Sequence, residues 1–218
     1  MRLLVVTILA LLVASPVRAH RLDEYLQDTN FLVKKNHLVG WIRLTPGVQV
    51  FPAILAVIDT DGDGTISESD QDAYAKWVLS DLSLSLDGQP LTLRLVSRSF
   101  PKIDRMKEGL ADILIEFNAS FPAKPGNRRL TYENHHRPQI SAYLVNSLVP
   151  DDPDIRITAQ NRNYDQSAYE LDYAQAGSIA AVPAPVASVY PGWEIAIGGG
   201  ITLVMLAVLA GRQIRQRL

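Results

Sequence analysis

Short segments in which every second residue is apolar dominate this chain, with Gly, Pro, Asn and Asp between them. Leu82-Ser83-Leu84-Ser85-Leu86 alternates strictly, Asp87-Gly88 follows, and Leu91-Thr92-Leu93-Arg94-Leu95 alternates again. A period of two puts one set of side chains on one face of an extended strand, and that face is buried only if the strand joins a sheet. Asp-Gly tolerates the positive φ of a tight hairpin turn. Residues 25–33 and 38–44 flank Lys34-Lys35-Asn36-His37 and read as another hairpin. Residues 111–118, 128–133, 141–145, 154–159 and 169–173 read as further strands, punctuated by Pro122, Pro125-Gly126, Pro138, Pro150 and Pro153. Many short strands separated by turn signals predict a mainly β fold, sandwich-like in architecture.

One stretch departs from this pattern: Asp59-Thr60-Asp61-Gly62-Asp63-Gly64-Thr65-Ile66-Ser67-Glu68-Ser69-Asp70. Its residue types and spacing match a calcium-binding EF-hand loop. A hard divalent cation takes six to eight oxygen ligands. Asp59, Asp61 and Asp63 supply carboxylates at positions 1, 3 and 5, Thr65 a backbone carbonyl at position 7, and Ser67 a hydroxyl or bridged water at position 9. Asp70 closes the sphere at position 12, and Gly64 makes the sharp turn at position 6. Position 12 is more often Glu, which reaches the ion with both oxygens. The shorter Asp70 predicts weaker Ca²⁺ binding and a site open to competition from Mg²⁺. Ile66 is expected to point into a core. The flanking segments read as helical, the first over 51–58 with Pro52 near its start. The second is capped by Ser67 or Ser69 and carries Tyr74, Trp77, Val78 and Leu79 at core-facing spacing. The expected helix-loop-helix thus occupies residues 51–80. The chain holds no second such loop, which favours a staple over a switch that exposes a target groove.

The two ends predict a topology. Arg2, the apolar run 3–13 and the small-residue ending Val17-Arg18-Ala19 read as a signal peptide over residues 1–19. Residues 192–211 form an apolar run broken only by Glu194 and Thr202. Twenty helical residues rise about 30 Å, enough for one membrane span. Arg212, Arg215 and Arg217 follow within the tail 212–218, and basic residues beside a span mark the cytoplasmic side. Between lies a Pro/Ala-rich linker, 175–191, and before it the β-rich exported domain, 20–174. The expectation is a single-pass protein of a bacterial inner membrane with its N-terminal domain in the periplasm.

Charge and composition narrow the function. Setting aside two Arg in the leader and three in the tail leaves 16 of the 21 basic residues against all 23 acidic ones, which argues against nucleic acid as a partner. With no cysteine, thiol catalysis, disulfides and zinc-thiolate sites are excluded. No Gly-x-Ser-x-Gly elbow, His-Glu-x-x-His or phosphate-cradling Gly loop occurs, so the expectation is a protein that is not an enzyme. Cleavage after Ala19 would give His20 a free amino group beside its imidazole. That pair chelates Cu²⁺ or Ni²⁺, and His135 or His136 could complete such a site. The alternative function is therefore a Cu/Ni-handling accessory protein. His136-Arg137-Pro138 and Arg128-Arg129 form a candidate basic patch.

Three further stretches accompany the Asp59 loop: His20-Arg21-Leu22-Asp23-Glu24-Tyr25-Leu26-Gln27, then Leu44-Thr45-Pro46-Gly47-Val48 with Phe51-Pro52, then Tyr143-Leu144-Val145-Asn146-Ser147-Leu148-Val149-Pro150. Together they resemble the exported domain found in bacterial proteins, sometimes ahead of a polytopic HupE/UreJ-type membrane region. The likeness covers residues 19–173, and a single apolar run stands where that polytopic region would be. The resemblance implies a Gram-negative envelope protein serving a polytopic membrane partner. It brings no catalytic residues.

Overall fold

Pairing of the alternating segments gives two five-stranded sheets in the computed structural model, which describes residues 23–177. The expected signal peptide, His20, nearly all of the linker and the apolar run 192–211 lie outside the described residues. Among the described residues, no helix is long and apolar enough to cross a membrane.

The strands are β1 (Tyr25–Val33), β2 (His37–Pro46), β3 (Leu82–Leu86), β4 (Gln89–Pro90), β5 (Arg94–Ser99), β6 (Ile113–Ser120), β7 (Gly126–Asn134), β8 (Ser141–Ser147), β9 (Ile155–Arg162) and β10 (Ala168–Gln175). One sheet has the order β5-β6-β2-β1-β8 and the other β4-β3-β7-β10-β9. Three helices, α1 (Phe51–Ile58), α2 (Glu68–Ser80) and the short α3 (Ile103–Lys107), accompany them. The fold is mainly β, as the alternation predicts.

Inward-facing residues of both sheets form one apolar cluster. Phe31, Leu38, Ile42, Ile115 and Phe117 come from the first sheet, and Leu84, Leu130, Tyr132, Tyr169 and Leu171 from the second. The Phe31 ring joins them. It meets Phe117 of its own sheet edge-on at 6.2 Å, and across the interior it meets Tyr132 edge-on at 4.9 Å and stacks on Tyr169 at 6.3 Å. Gly40 pairs with Phe117 in the β2–β6 register, and a Cβ there would lie 2.3 Å from the ring. The glycine is therefore needed for space.

Several elements differ from the sequence expectation. Residues 91–93 are not a strand. They carry the chain from one sheet to the other, with Leu91 and Leu93 half-buried against the core. The strand starts at Arg94 and pairs with β6, with an irregular register between Leu95 and Ser97. Alternation reports half-burial, which a crossing segment also has. The parallel pairing of β8 with β1 and the helix α3 were not foreseen. Trp77 is 38% exposed, not core. β10 runs through Gln175, whose side chain is buried, so the domain extends into the expected linker.

The registers define two ends. Gln27 in β1 is bonded to Asn134 in β7, and Thr29 to Tyr132, so the start of β1, the end of β2 and the start of β3 share one end. The helix-loop-helix leaves β2 and enters β3 there. The opposite end holds the β1–β2 turn, the β8–β9 connection and the last residues of β10.

Candidate cation-binding loop

The loop is held between two anchored helices. Phe51, Ile54 and Ile58 of α1 and Tyr74, Ala75, Val78 and Leu79 of α2 are buried in the shared core. Pro52 sits in the first turn of α1, where a missing N–H costs no helical bond. Of the two candidate caps, Ser67 is the one used. Its hydroxyl accepts from the Asp70 N–H at 3.2 Å, and Asp70 Oδ2 accepts from the Ser67 N–H at 3.0 Å, a complete capping box. Ile66 packs half-buried against the core, as expected.

Within the loop, Asp59 is nearly buried and Asp61 and Asp63 are exposed. Each offers one carboxylate oxygen, and these three oxygens lie within 4.8 Å of one another. Two ligands on opposite sides of one Ca²⁺ stand about 4.6–5.2 Å apart, twice the usual Ca–O distance, so the three fit around a single ion. The loop is shaped by hydrogen bonds to the same carboxylates. Gly62 and Gly64 donate to the two oxygens of Asp59, each at 2.9 Å, and the Thr65 N–H donates to Asp63 at 2.7 Å. Gly62 and Gly64 have φ of 71° and 80°, in the left-handed region that favours glycine. The Asp63 N–H, donating to Asp61, pulls the Asp61 pKa down. The neighbouring Asp59 carboxylate and the charge of Asp63 outweigh that and hold it above the ordinary aspartate value. A bound cation would relieve this crowding.

Asp70 is not one of the converging trio, but its charge reaches Asp61. Its Oδ2 also accepts from the Ser67 hydroxyl at 2.5 Å, and Oδ1 takes a long bond from Thr60 at 3.4 Å. Those donations from Ser67 and Thr60 lower its pKa despite partial burial. Ser67 and Thr65 are exposed beside the trio in sequence, with the Ser67 hydroxyl 2.8 Å from that of Ser69.

The far end of α2 is tied to the sheets by a buried polar network that the sequence reading missed. Asp81 Oδ2 lies 2.7 Å from His136 Nδ1, Tyr74 Oη lies 3.2 Å from His136 Nε2, and Tyr74 shares a 2.7 Å hydrogen bond with Tyr25. A carboxylate only accepts, so Nδ1 carries the ring proton and Nε2 accepts from Tyr74, which accepts in turn from Tyr25. Burial lowers the His136 pKa, partly offset by Asp81, and pushes the Tyr74 hydroxyl up to about 12. The His136 carbonyl accepts from Gln27 at 2.8 Å and from Tyr143 at 3.0 Å, and Asn134 joins Gln27 to the His136 N–H. One signal could have announced it: Gln27 and Thr29 are polar residues on the inward face of a strand that also carries Tyr25 and Phe31. An acid, an imidazole and a hydroxyl in series can move protons. Here the ring is fully buried and Tyr74 is only 2% exposed, so the chain of groups acts within the fold.

Of the histidines suggested for a second metal site, His135 is exposed and meets Glu133 at 3.0 Å, while His136 has both ring nitrogens engaged. The two imidazoles answer to different partners. The candidate basic patch is also dispersed. Arg128 is buried against Asp87 at 2.6 Å, Arg129 pairs with Asp172 at 2.6 Å, and Arg137 lies over the Trp77 ring at 5.1 Å. Neighbours in sequence on a strand point to opposite faces, so adjacent basic residues do not make one surface. Comparison with protein-family models, with curated proteins and with solved structures gave no match.

Proposed function

We propose that this chain is a membrane-anchored domain on the periplasmic side of a bacterial envelope, in which the 59–70 loop holds one Ca²⁺ as a structural clip. The observation that carries the reading is a residue spacing and a side-chain geometry that agree. The residue spacing is that of an EF-hand, and the oxygens of Asp59, Asp61 and Asp63 converge within one coordination diameter at the joint of two core-anchored helices. When bound, the ion would neutralise three crowded carboxylates. Asp59, Asp61 and Asp63 are the residues that would hold it, with Thr65 and Ser67 beside them and Asp70 closing the sphere as well as capping α2. Asp70 in the capping box supports a weak site, on the order of 10⁻⁴–10⁻³ M as in extracellular modules. The anchor rests on the apolar run 192–211 with its flanking Arg residues, and the HupE/UreJ-type resemblance supports a polytopic membrane partner.

Thermal unfolding tests the clip. At a free Ca²⁺ ten to a hundred times Kd, binding adds about 1.4–2.7 kcal/mol. At roughly 2–4 °C per kcal/mol for a chain of this size, the melting temperature should rise by about 3–10 °C over the chelated protein. Asp59→Ala should abolish the rise. Equal melting curves with Ca²⁺ and chelator would remove the proposal, and an equal rise with Mg²⁺ would reassign the ion.

A further inference from the structure

The end of the domain where the chain leaves carries an apolar patch whose setting identifies what it meets. Val149 is 87% exposed and Leu148 43%, side by side in the β8–β9 connection. The Ala176 N–H donates to the Asp154 carbonyl at 2.7 Å, which fastens the last described residues to this connection. Its three acids are partly offset by two lysines. Lys34 pairs with both oxygens of Asp151, and Lys35 lies 2.6 Å from Asp154 and 3.5 Å from Asp152. Lys124 is exposed at the same end, two residues before the Gly126–Gln175 pair that closes the second sheet there.

We propose that this end, with Leu148 and Val149 at its centre, rests on the phospholipid headgroup surface. The inference deepens the anchoring reading above and depends on it. Fourteen residues separate Gly177 from the apolar run that starts at Gly192. Their fully extended reach is at most about 50 Å. The tether therefore begins at this end of the domain. Two aliphatic side chains inserted at the headgroup–acyl boundary remove apolar surface from water. Lys34 and Lys35 offset two of the three charges of Asp151, Asp152 and Asp154, which weakens the repulsion that a row of free carboxylates would meet from an anionic leaflet. The acidic 59–70 loop lies with the helices at the other end, where solvent cations reach it.

The absence of cysteine lets one label report one position. Val149→Cys and Tyr164→Cys place an environment-sensitive fluorophore at exposed sites beyond opposite ends of β9. The full chain is reconstituted into vesicles of phosphatidylethanolamine and phosphatidylglycerol, with and without a headgroup-proximal spin-labelled lipid. Emission from position 149 should fall by about half, consistent with insertion of roughly 5–10 Å, while position 164 stays unchanged. Equal quenching at both positions, or none at 149, overturns the proposal. Blue-shifted emission at 149 that the lipid quencher does not reduce assigns the patch to a second copy or another protein and overturns it too. Flotation separates the two readings. A chain that does not float with the vesicles defeats the anchor and this inference together, and one that floats without quenching at 149 defeats the inference alone.

Discussion

At the helix-bearing end of the two-sheet domain, Gln27, Asn134, His136, Tyr74 and Tyr25 satisfy one another away from water. At the opposite end, Lys34 and Lys35 meet Asp151, Asp152 and Asp154 at the surface. Both ends are polar, and the difference is what happens when a partner is lost. A buried group left without its partner has no water to turn to, whereas an exposed lysine or aspartate is rehydrated. Stability is therefore concentrated where the far end of α2 is fastened to the sheets, and the exit end can change its charges at little cost. This arrangement suits a loop whose two helices must be held still for three carboxylates to converge.

The contrast is tested hardest at His136. His136→Ala should cost roughly 2–4 kcal/mol, since it opens a cavity and strips partners from Asp81 and Tyr74. Urea unfolding measures this, and a loss below about 1 kcal/mol would make the two ends equivalent. The same residue gives a pH signature. In the unfolded chain the imidazole titrates near about 6.5. Burial holds the folded value lower, so the unfolded chain takes up the proton first. The stabilisation is complete above that pH and is lost progressively as pH falls below it. His136→Gln should flatten this part of the stability curve. The depressed carboxyls of Asp87 and Asp172, held down by their arginine partners despite partial burial, remove stability only below about pH 4.

Smaller effects sharpen the comparison. Asp70→Glu keeps the capping-box chemistry and adds the reach that a closing ligand needs, so Ca²⁺ affinity should rise about tenfold, near 1.4 kcal/mol. A titration showing no gain would mean that residue 70 serves the helix alone. At the other end, Lys34→Met should change stability by about 0–1 kcal/mol in urea unfolding.

Much of this was legible in the chain. Residues 25–33 and Leu82–Leu86 alternate, and both are strands with those bounds. Ser67 or Ser69 announced the start of α2, and Ser67 is the cap. What escaped was non-local or directional. Nothing near Ser141 shows that β8 pairs in parallel with β1, because the partner is more than a hundred residues away. Leu91 and Leu93 alternate like a strand, yet their backbone crosses between sheets. His136 stands beside Arg137 and so read as part of a basic surface, although its side chain turns inward to Asp81. Asp70 fits both an ion ligand and a helix cap, and composition cannot choose between them.

The most direct measurement is a calorimetric titration of Ca²⁺ into the chelator-treated full chain, run beside Asp59→Ala. The account predicts one site with a Kd on the order of 10⁻⁴–10⁻³ M and no binding heat in the variant. The absence of any saturable heat in the unsubstituted chain, or the same isotherm in Asp59→Ala, would contradict it.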